Sequence, residues 1–220
     1  MLNELVSELN IRGVNFVKVV DISMLSANEN RGYGVALLIG VILGPSYIYR
    51  LSTENILDYS EFHEKEGNAD KLAEWAANFI TAHGYKAYAQ SEKNHLLHGS
   101  YDETTKTTSL PHKTIAVLAG LGWIGKSNLL ITQEYGSALC MSTVLTNAPL
   151  PTENRPIVIS KCGECTVCQN ICPEKCIRGL TWSVGMNRDL LVDVYHCRCC
   201  LKCLANCPWT QKYMQKYMKK

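Results

Sequence analysis

Ten of the chain's 11 cysteines lie between Cys162 and Cys207. Eight of them fall into two runs: Cys162, Cys165, Cys168 and Cys172, followed by Pro173, then Cys197, Cys200, Cys203 and Cys207, followed by Pro208. Thiolates are soft donors that suit zinc and iron–sulfur clusters. Both runs carry the C-x2-C-x2-C-x3-C-P spacing of two-cluster iron–sulfur modules. The two-residue gaps let three thiolates converge on one cubane, while the fourth, offset by one more residue, points at the other cluster. The spacing therefore groups Cys162, Cys165 and Cys168 with Cys207 on one [4Fe-4S] cluster, and Cys197, Cys200 and Cys203 with Cys172 on the other. Structural zinc is the alternative, because C-x2-C pairs are shared with zinc ribbons, but zinc needs four ligands and has no use for the x3-C-P. Cys199 is a spare thiol, and Cys197 fits the spacing better. Cys176 reads as a buried packing thiol and Cys140 as core.

A second chemical signal is Gly120-Leu-Gly-Trp-Ile-Gly-Lys-Ser127. It satisfies the phosphate-cradling pattern G-x-x-x-x-G-K-[ST], and its glycines also match G-x-G-x-x-G. A phosphate loop needs a strand before it, a helix after it and a downstream Asp for magnesium. Lys113 to Ala119 is the apolar run that would have to supply the preceding strand. Asn128-Leu-Leu-Ile-Thr132 is strand-like where the helix should be, and the nearest apolar run ending in Asp, at Asp193, lies between the cysteine runs. A dinucleotide fold would want an acidic residue about 20 positions on, and none is there.

The elements that must position these residues can be read from periodicity. Leu2, Leu5, Val6 and Leu9 predict a short amphipathic helix, and residues 16–22 and 35–43 predict strands, the second buried on both faces. From about Thr53 to His83 the pattern is helical, with Gly67-Asn68 expected to divide it in two and Gly84 as a C-cap. Tyr85, Ala87 and Ala89 alternate as a strand, residues 91–112 read as a long loop, and two further strands follow over 129–132 and 139–145. Residues 147–156 are a linker by composition. The expected architecture is an α/β (α+β) layered domain over residues 1–150, then a small cysteine-rich domain over 151–220. Tyr213, Met214, Tyr217 and Met218 would form one face of a C-terminal helix.

Lys+Arg 22 against Asp+Glu 20 leaves a net charge of +2, so bulk charge does not select nucleic acid as a partner. The C-terminal stretch from Cys197 carries Arg198, Lys202, Lys212, Lys216, Lys219 and Lys220 and no acid. A solvated helix end is the plain reading of it, with an acidic electron donor or RNA as the functional one. The acidic, h-region-free start, the short longest apolar run and thiols at ligand spacing lead to the expectation of a cytoplasmic protein with no membrane partner.

The run Leu110-Pro-His-Lys-Thr-Ile-Ala-Val-Leu-Ala-Gly-Leu-Gly-Trp-Ile-Gly-Lys-Ser127 carries a resemblance. Together with Leu129-Leu-Ile-Thr132, Tyr135-Gly-Ser137, Val144-Leu-Thr146, Pro149-Leu150 and the first cysteine run, it resembles the epoxyqueuosine reductase superfamily. That superfamily is related to the reductive dehalogenases. The resemblance is specific over about residues 110–208. It implies a corrinoid-binding α/β domain followed by a bacterial-type two-cluster ferredoxin domain, with Gly120, Gly122, Trp123, Ile124, Gly125 and Lys126 approaching the corrinoid, here cobalamin. Members that reduce epoxyqueuosine carry a catalytic Asp whose position, counted back without gaps, falls on Lys106; Asp102 and Glu103 are near. The longer members continue into a tRNA-holding extension, whereas this chain ends at Lys220, so tRNA is not the expected partner.

The catalytic residue stays unassigned. None of the six histidines sits in a D-x-H-x-x-G setting, so His63, His98 and His112 are not expected on cobalt, and His112 is weighed as proton donor or plain polar residue. Asp58 reads as a helix-start residue; Tyr33, Tyr47, Tyr59 and Tyr101 are proton-donor candidates. Three functional readings follow. The first is an iron–sulfur oxidoreductase that passes electrons from a ferredoxin- or flavodoxin-type donor through two [4Fe-4S] clusters to a corrinoid, for a small-molecule substrate. The second is an electron-transfer or activator protein serving a partner redox protein. The third is an iron–sulfur ATPase, resting on the phosphate-loop pattern alone.

Overall fold

A computed structural model describes residues 1–54 and 56–218. In chain order its elements begin with α1 (Leu2–Ile11), β1 (Phe16–Asp21), α2 (Ala27–Asn30), β2 (Val35–Ile42), α3 (Pro45–Thr53) and α4 (Ser60–Ala82). They continue with β3 (Ala87–Ala89), α5 (Glu92–Leu97), β4 (Tyr101–Asp102), β5 (Thr107–Thr108), α6 (His112–Leu118), β6 (Gly122–Ile124) and β7 (Leu130–Thr132). The last are β8 (Leu139–Thr146), α7 (Val167–Ile171), a 3-10 turn at Arg188–Leu190, α8 (Lys202–Ala205) and α9 (Pro208–Met218). Among the described residues no helix is long and apolar enough to cross a membrane.

These elements sort into two compact units. The first comprises Met1–Val41, Phe62–Ala119 and Cys140–Pro156. Its sheet has the order β1-β2-β8-β3, with β1 antiparallel to β2 (Phe16↔Gly40 to Asp21↔Val35) and β3 antiparallel to β8. The two central strands, β2 and β8, are buried along nearly their whole length because both faces are covered. One helical stripe on α1 (Leu5, Leu9) and another on α4 (Leu72, Ala73, Ala76, Ile80) bury against Leu37, Ile39 and Val144. Burying each such Leu or Ile side chain stabilises the unit by about 1.5–3 kcal/mol.

Four local expectations are corrected here. α4 runs unbroken through Gly67 and Asn68; a mid-helix glycine costs only about 1 kcal/mol, which the apolar stripe on either side offsets. Residues 91–112 are not a bare loop. Ser91 caps α5, its Oγ accepting from the Asn94 N–H at 3.4 Å, and β4 and β5 form a small antiparallel pair. The run 113–119, which a phosphate loop would need as a strand, belongs to the helix α6, which starts after Pro111. A seven-residue apolar run does not distinguish the two by periodicity. α3 was not expected at all; Pro45, at its start, is pre-set for the first turn and needs no N–H there.

The second unit comprises Ile42–Glu61, Gly120–Leu139 and Ile157 onward. The sequence reading put the first two segments in the α/β domain, whereas their contacts lie with the cysteine-rich stretch. β6 and β7 pair antiparallel (Gly122↔Thr132, Ile124↔Leu130). α9 is fastened to this unit at two places. The buried Tyr213 hydroxyl donates to the Leu43 carbonyl at 2.7 Å. The Thr210 Oγ1 accepts from the Ser137 N–H at 3.0 Å. Gly136, at φ +58, lets the β7 turn lie directly on the start of α9: a Cβ there would sit 2.2 Å from the Thr210 nitrogen.

Candidate functional site

In the second unit, Cys162, Cys165 and Cys168 line a cavity of about 90 Å³ together with Cys207, which comes from the other cysteine run. Lys126, Lys161, Ile131 and Trp209 complete most of its wall. α7 carries Cys168 and α8 carries Cys203, while Cys207 immediately precedes α9. Burial pushes the Cys168 thiol up to about 11, and the neighbouring Cys162, Cys207 and Cys165 push it further the same way. Burial likewise pushes Cys203 to about 12, followed by Cys197, Cys200, Cys168 and Cys172. The thiols interact with one another, and those of Cys168 and Cys203 resist ionisation on their own. A cationic centre reverses that preference and holds them as thiolates.

Among the described residues no three His, Cys, Asp or Glu side chains close on the position of a single metal ion. Four thiols lining one space suit a cubane in which each iron takes one thiolate. Cys172 is buried, which raises its pKa, but the Cys176 N–H and thiol and the N–H groups of Glu174 and Ile177 outweigh that and hold it below the usual thiol range. Its Sγ lies 3.5 Å from that of Cys176. Cys176 is pushed to about 12, first by burial and then by Cys172, so of the two Cys172 is the readier thiolate. Cys199 is exposed, and its N–H donates to the Cys197 Sγ at 3.4 Å. That contact suits Cys197 as the ligand, because such N–H···S bonds favour a thiolate. Cys140 is buried in β8, with Sγ 3.7 Å from the Phe62 carbonyl oxygen.

The phosphate-loop expectation fails on geometry. Gly120 follows the helix α6, and Ser127 leads into the strand β7, the reverse of strand–loop–helix. The Gly125 N–H, which a phosphate would need, donates to the Leu129 carbonyl at 2.9 Å. What the glycines permit is close packing. A Cβ on Gly122 would meet the Ile131 carbonyl oxygen at 2.1 Å, and one on Gly125 would meet Ile131 Cδ1 at 2.4 Å. Gly122, Trp123, Ile124, Gly125 and Lys126 are all buried, and Gly120 is half-buried. The Lys126 Nζ donates to the Cys165 carbonyl at 3.1 Å. These residues pack on β7 and on the cysteines.

Of the remaining candidates, the Tyr47 hydroxyl is spent on the Asp58 carbonyl at 2.6 Å, and Asp58 Oδ1 accepts from the Ser60 N–H as the chain enters α4. Tyr101, His63 and His98 are exposed, as are Lys106 and Asp102 around the β4–β5 turn. Asp102 Oδ1 takes the Thr104 and Thr105 N–H groups, which lowers its pKa. In the first unit, His112 Nδ1 lies 2.9 Å from the Thr143 Oγ1. Burial, with His95 nearby, drops its pKa to about 4. His95 is lowered by burial and then by Arg31, while Asp70 is raised by burial. Such a set of perturbed groups marks functional sites more often than chance. The sequence reading singled out only His112 from it, since Asp70 and His95 come from helices whose faces meet only in the fold.

No family model matches the chain. Among curated relatives, the epoxyqueuosine reductase of Bacillus anthracis is 34% identical over 111 residues, covering 43% of this chain and 29% of the relative. That of Escherichia coli is 32% identical over 114 residues, covering 45% and 30%. The chain therefore matches about a third of those relatives' length. Among solved structures, a catabolic reductive dehalogenase in complex with 3-bromo-4-hydroxybenzoic acid superposes with a TM-score of 0.70 at 18% identity, covering 94% of this chain and 31% of that one. The epoxyqueuosine reductase of Streptococcus thermophilus superposes with a TM-score of 0.60 at 16% identity, covering 96% and 66%. At such identities the likeness is one of fold.

Proposed function

We propose that this chain, which shares sequence with epoxyqueuosine reductases and a fold with them and with reductive dehalogenases, is an iron–sulfur oxidoreductase. In this reading it holds two [4Fe-4S] clusters, works with a corrinoid, and reduces a substrate other than epoxyqueuosine in tRNA. The observation that carries the reading is the cavity shared by Cys162, Cys165 and Cys168 with Cys207 of the other run. Cys197, Cys200 and Cys203 with Cys172 are the second ligand set. Clusters of this kind supply one-electron transfer, and a corrinoid supplies a strongly reducing centre. This chain's own residues bind the clusters, bury them against Trp209 and Ile131, and leave the basic C-terminal stretch for a reduced ferredoxin- or flavodoxin-type donor.

Support for the corrinoid is the fold likeness, which extends to a reductive dehalogenase described as B12-dependent. No residue is assigned to the corrinoid. Lys106, at the position where epoxyqueuosine-reducing relatives carry the catalytic Asp, is exposed in a left-handed turn with φ 51. That observation favours a second reading, an electron-transfer protein serving a partner redox protein. Titrating cob(II)alamin into the anaerobically reconstituted protein separates them. A change in the corrinoid's visible spectrum supports the oxidoreductase; no change leaves the electron carrier.

A further inference from the structure

Lys126 gives the glycine segment its phosphate-loop look, yet it borders sulfur. Its side chain is only 7% exposed, and its ammonium lines the same cavity as Cys162, Cys165, Cys168 and Cys207. No carboxylate is among the residues lining that cavity, and the Lys126 hydrogen bond goes to a neutral carbonyl, that of Cys165. A buried ammonium without a counter-charge is costly, so the site is built for an anion.

A second donor points the same way. Trp123 is 1% exposed and packs with Cys162, Cys207 and Trp209, and its indole Nε1 has no hydrogen-bond partner among the described residues. Buried N–H groups are almost always paired. A buried cation lining the thiol pocket, and an unpaired buried N–H on a side chain packed against two of its cysteines, match a cluster whose thiolates and sulfides carry net negative charge. We propose that Lys126 is a fixed cation that raises the reduction potential of the cluster held by Cys162, Cys165, Cys168 and Cys207. The inference rests on the two-cluster reading above. Reduction adds one negative charge to the cluster, so a cation lining its site stabilises the reduced state more than the oxidised one. Lys126 is in this sense a tuning residue, and the glycines around it exist to bring it and β7 against the cysteine loops.

The test is a redox titration of the reconstituted full chain followed by electron paramagnetic resonance, on the wild type, Lys126→Gln and Lys126→Arg. Glutamine keeps a donor for the Cys165 carbonyl without the charge; arginine keeps the charge. The expected result is that Lys126→Gln moves one of the two midpoints to a more negative potential and leaves the other in place, and that Lys126→Arg restores it. Two unmoved midpoints in a fully loaded Lys126→Gln protein overturn the inference while the cluster reading stands. Should Lys126→Gln fail to load that cluster, loading by Lys126→Arg supports a role for the charge and failure of both variants overturns it. A wild type that assembles no iron–sulfur cluster sinks the two-cluster reading and this inference with it.

Discussion

Gly136→Ala should loosen α9 from the β7 turn and take the first cluster's ligand Cys207 with it. At φ +58 an alanine is in left-handed backbone, which costs about 1–2 kcal/mol. Its Cβ would lie 2.2 Å from the Thr210 nitrogen and 2.5 Å from its Cα, well inside the ordinary contact distance. These are backbone atoms of a helix start, so relief requires moving the first turn of α9, an overpacking strain of about 1–3 kcal/mol. That movement also stretches the Ser137 N–H bond to the Thr210 Oγ1, worth about 1 kcal/mol. The total is about 3–6 kcal/mol, a large fraction of the 5–15 kcal/mol typical of a folded domain. Anaerobic urea unfolding followed by circular dichroism would read it, with cluster absorbance recorded in parallel. Thr210→Val, which keeps the volume and strands the Ser137 N–H, should cost less, about 1–3 kcal/mol. A Gly136→Ala protein within about 0.5 kcal/mol of wild type, with its iron retained, would refute the packing argument.

Three further outcomes are expected. Cys199→Ser should leave iron content unchanged, while Cys197→Ser should lose about one cluster's four irons; the opposite pattern would exchange the two residues' roles. Gly67→Ala should stabilise the protein by about 0.5–1 kcal/mol, because the site is helical and nothing lies within 4 Å of a Cβ there. A destabilised Gly67→Ala would mean that α4 needs the glycine. His112, at about 4 in the fold against about 6.5 unfolded, binds fewer protons when folded between those values. Its contribution is full above about pH 6.5 and is lost as pH falls toward 4, by at most about 3 kcal/mol. Asp70, raised by burial, works in the opposite direction as pH falls. The readout is therefore the difference between wild type and His112→Gln, whose unfolding free energy should depend less on pH across that window; parallel curves would contradict it.

The proposed cluster ligands are read from the sequence alone, because their chemistry dictates spacing and spacing survives without knowledge of the fold. The sheet strands β1, β2 and β8 were legible too, since continuous or alternating apolar runs leave few alternatives at that length. What failed was local. The helix α6 has no distinct signal because Ile115 to Ala119 is apolar on every side, and Gly67 signals a break in α4 that tertiary burial overrides. The glycine segment is ambiguous for a different reason. Its pattern reports that backbone approaches something closely, but not what. Ile131 and the cysteine loops answer that question only once β6 and β7 are paired. Likewise Asp70 and His95 gain their perturbed titration from neighbours far away in sequence.

The central claim is that the two cysteine runs interleave to hold two [4Fe-4S] clusters. Its most direct test is iron and sulfide analysis of the anaerobically reconstituted chain, alone and with Cys207→Ala and Cys172→Ala singly and together. The account expects about eight irons and eight sulfides in the wild type, about four of each in either single variant, and neither cluster intact in the double variant. The Lys126→Gln midpoint shift should persist in the Cys172→Ala background and vanish in the Cys207→Ala background. Metal uptake as zinc without sulfide, or a shift that vanishes with Cys172→Ala and persists with Cys207→Ala, would contradict it.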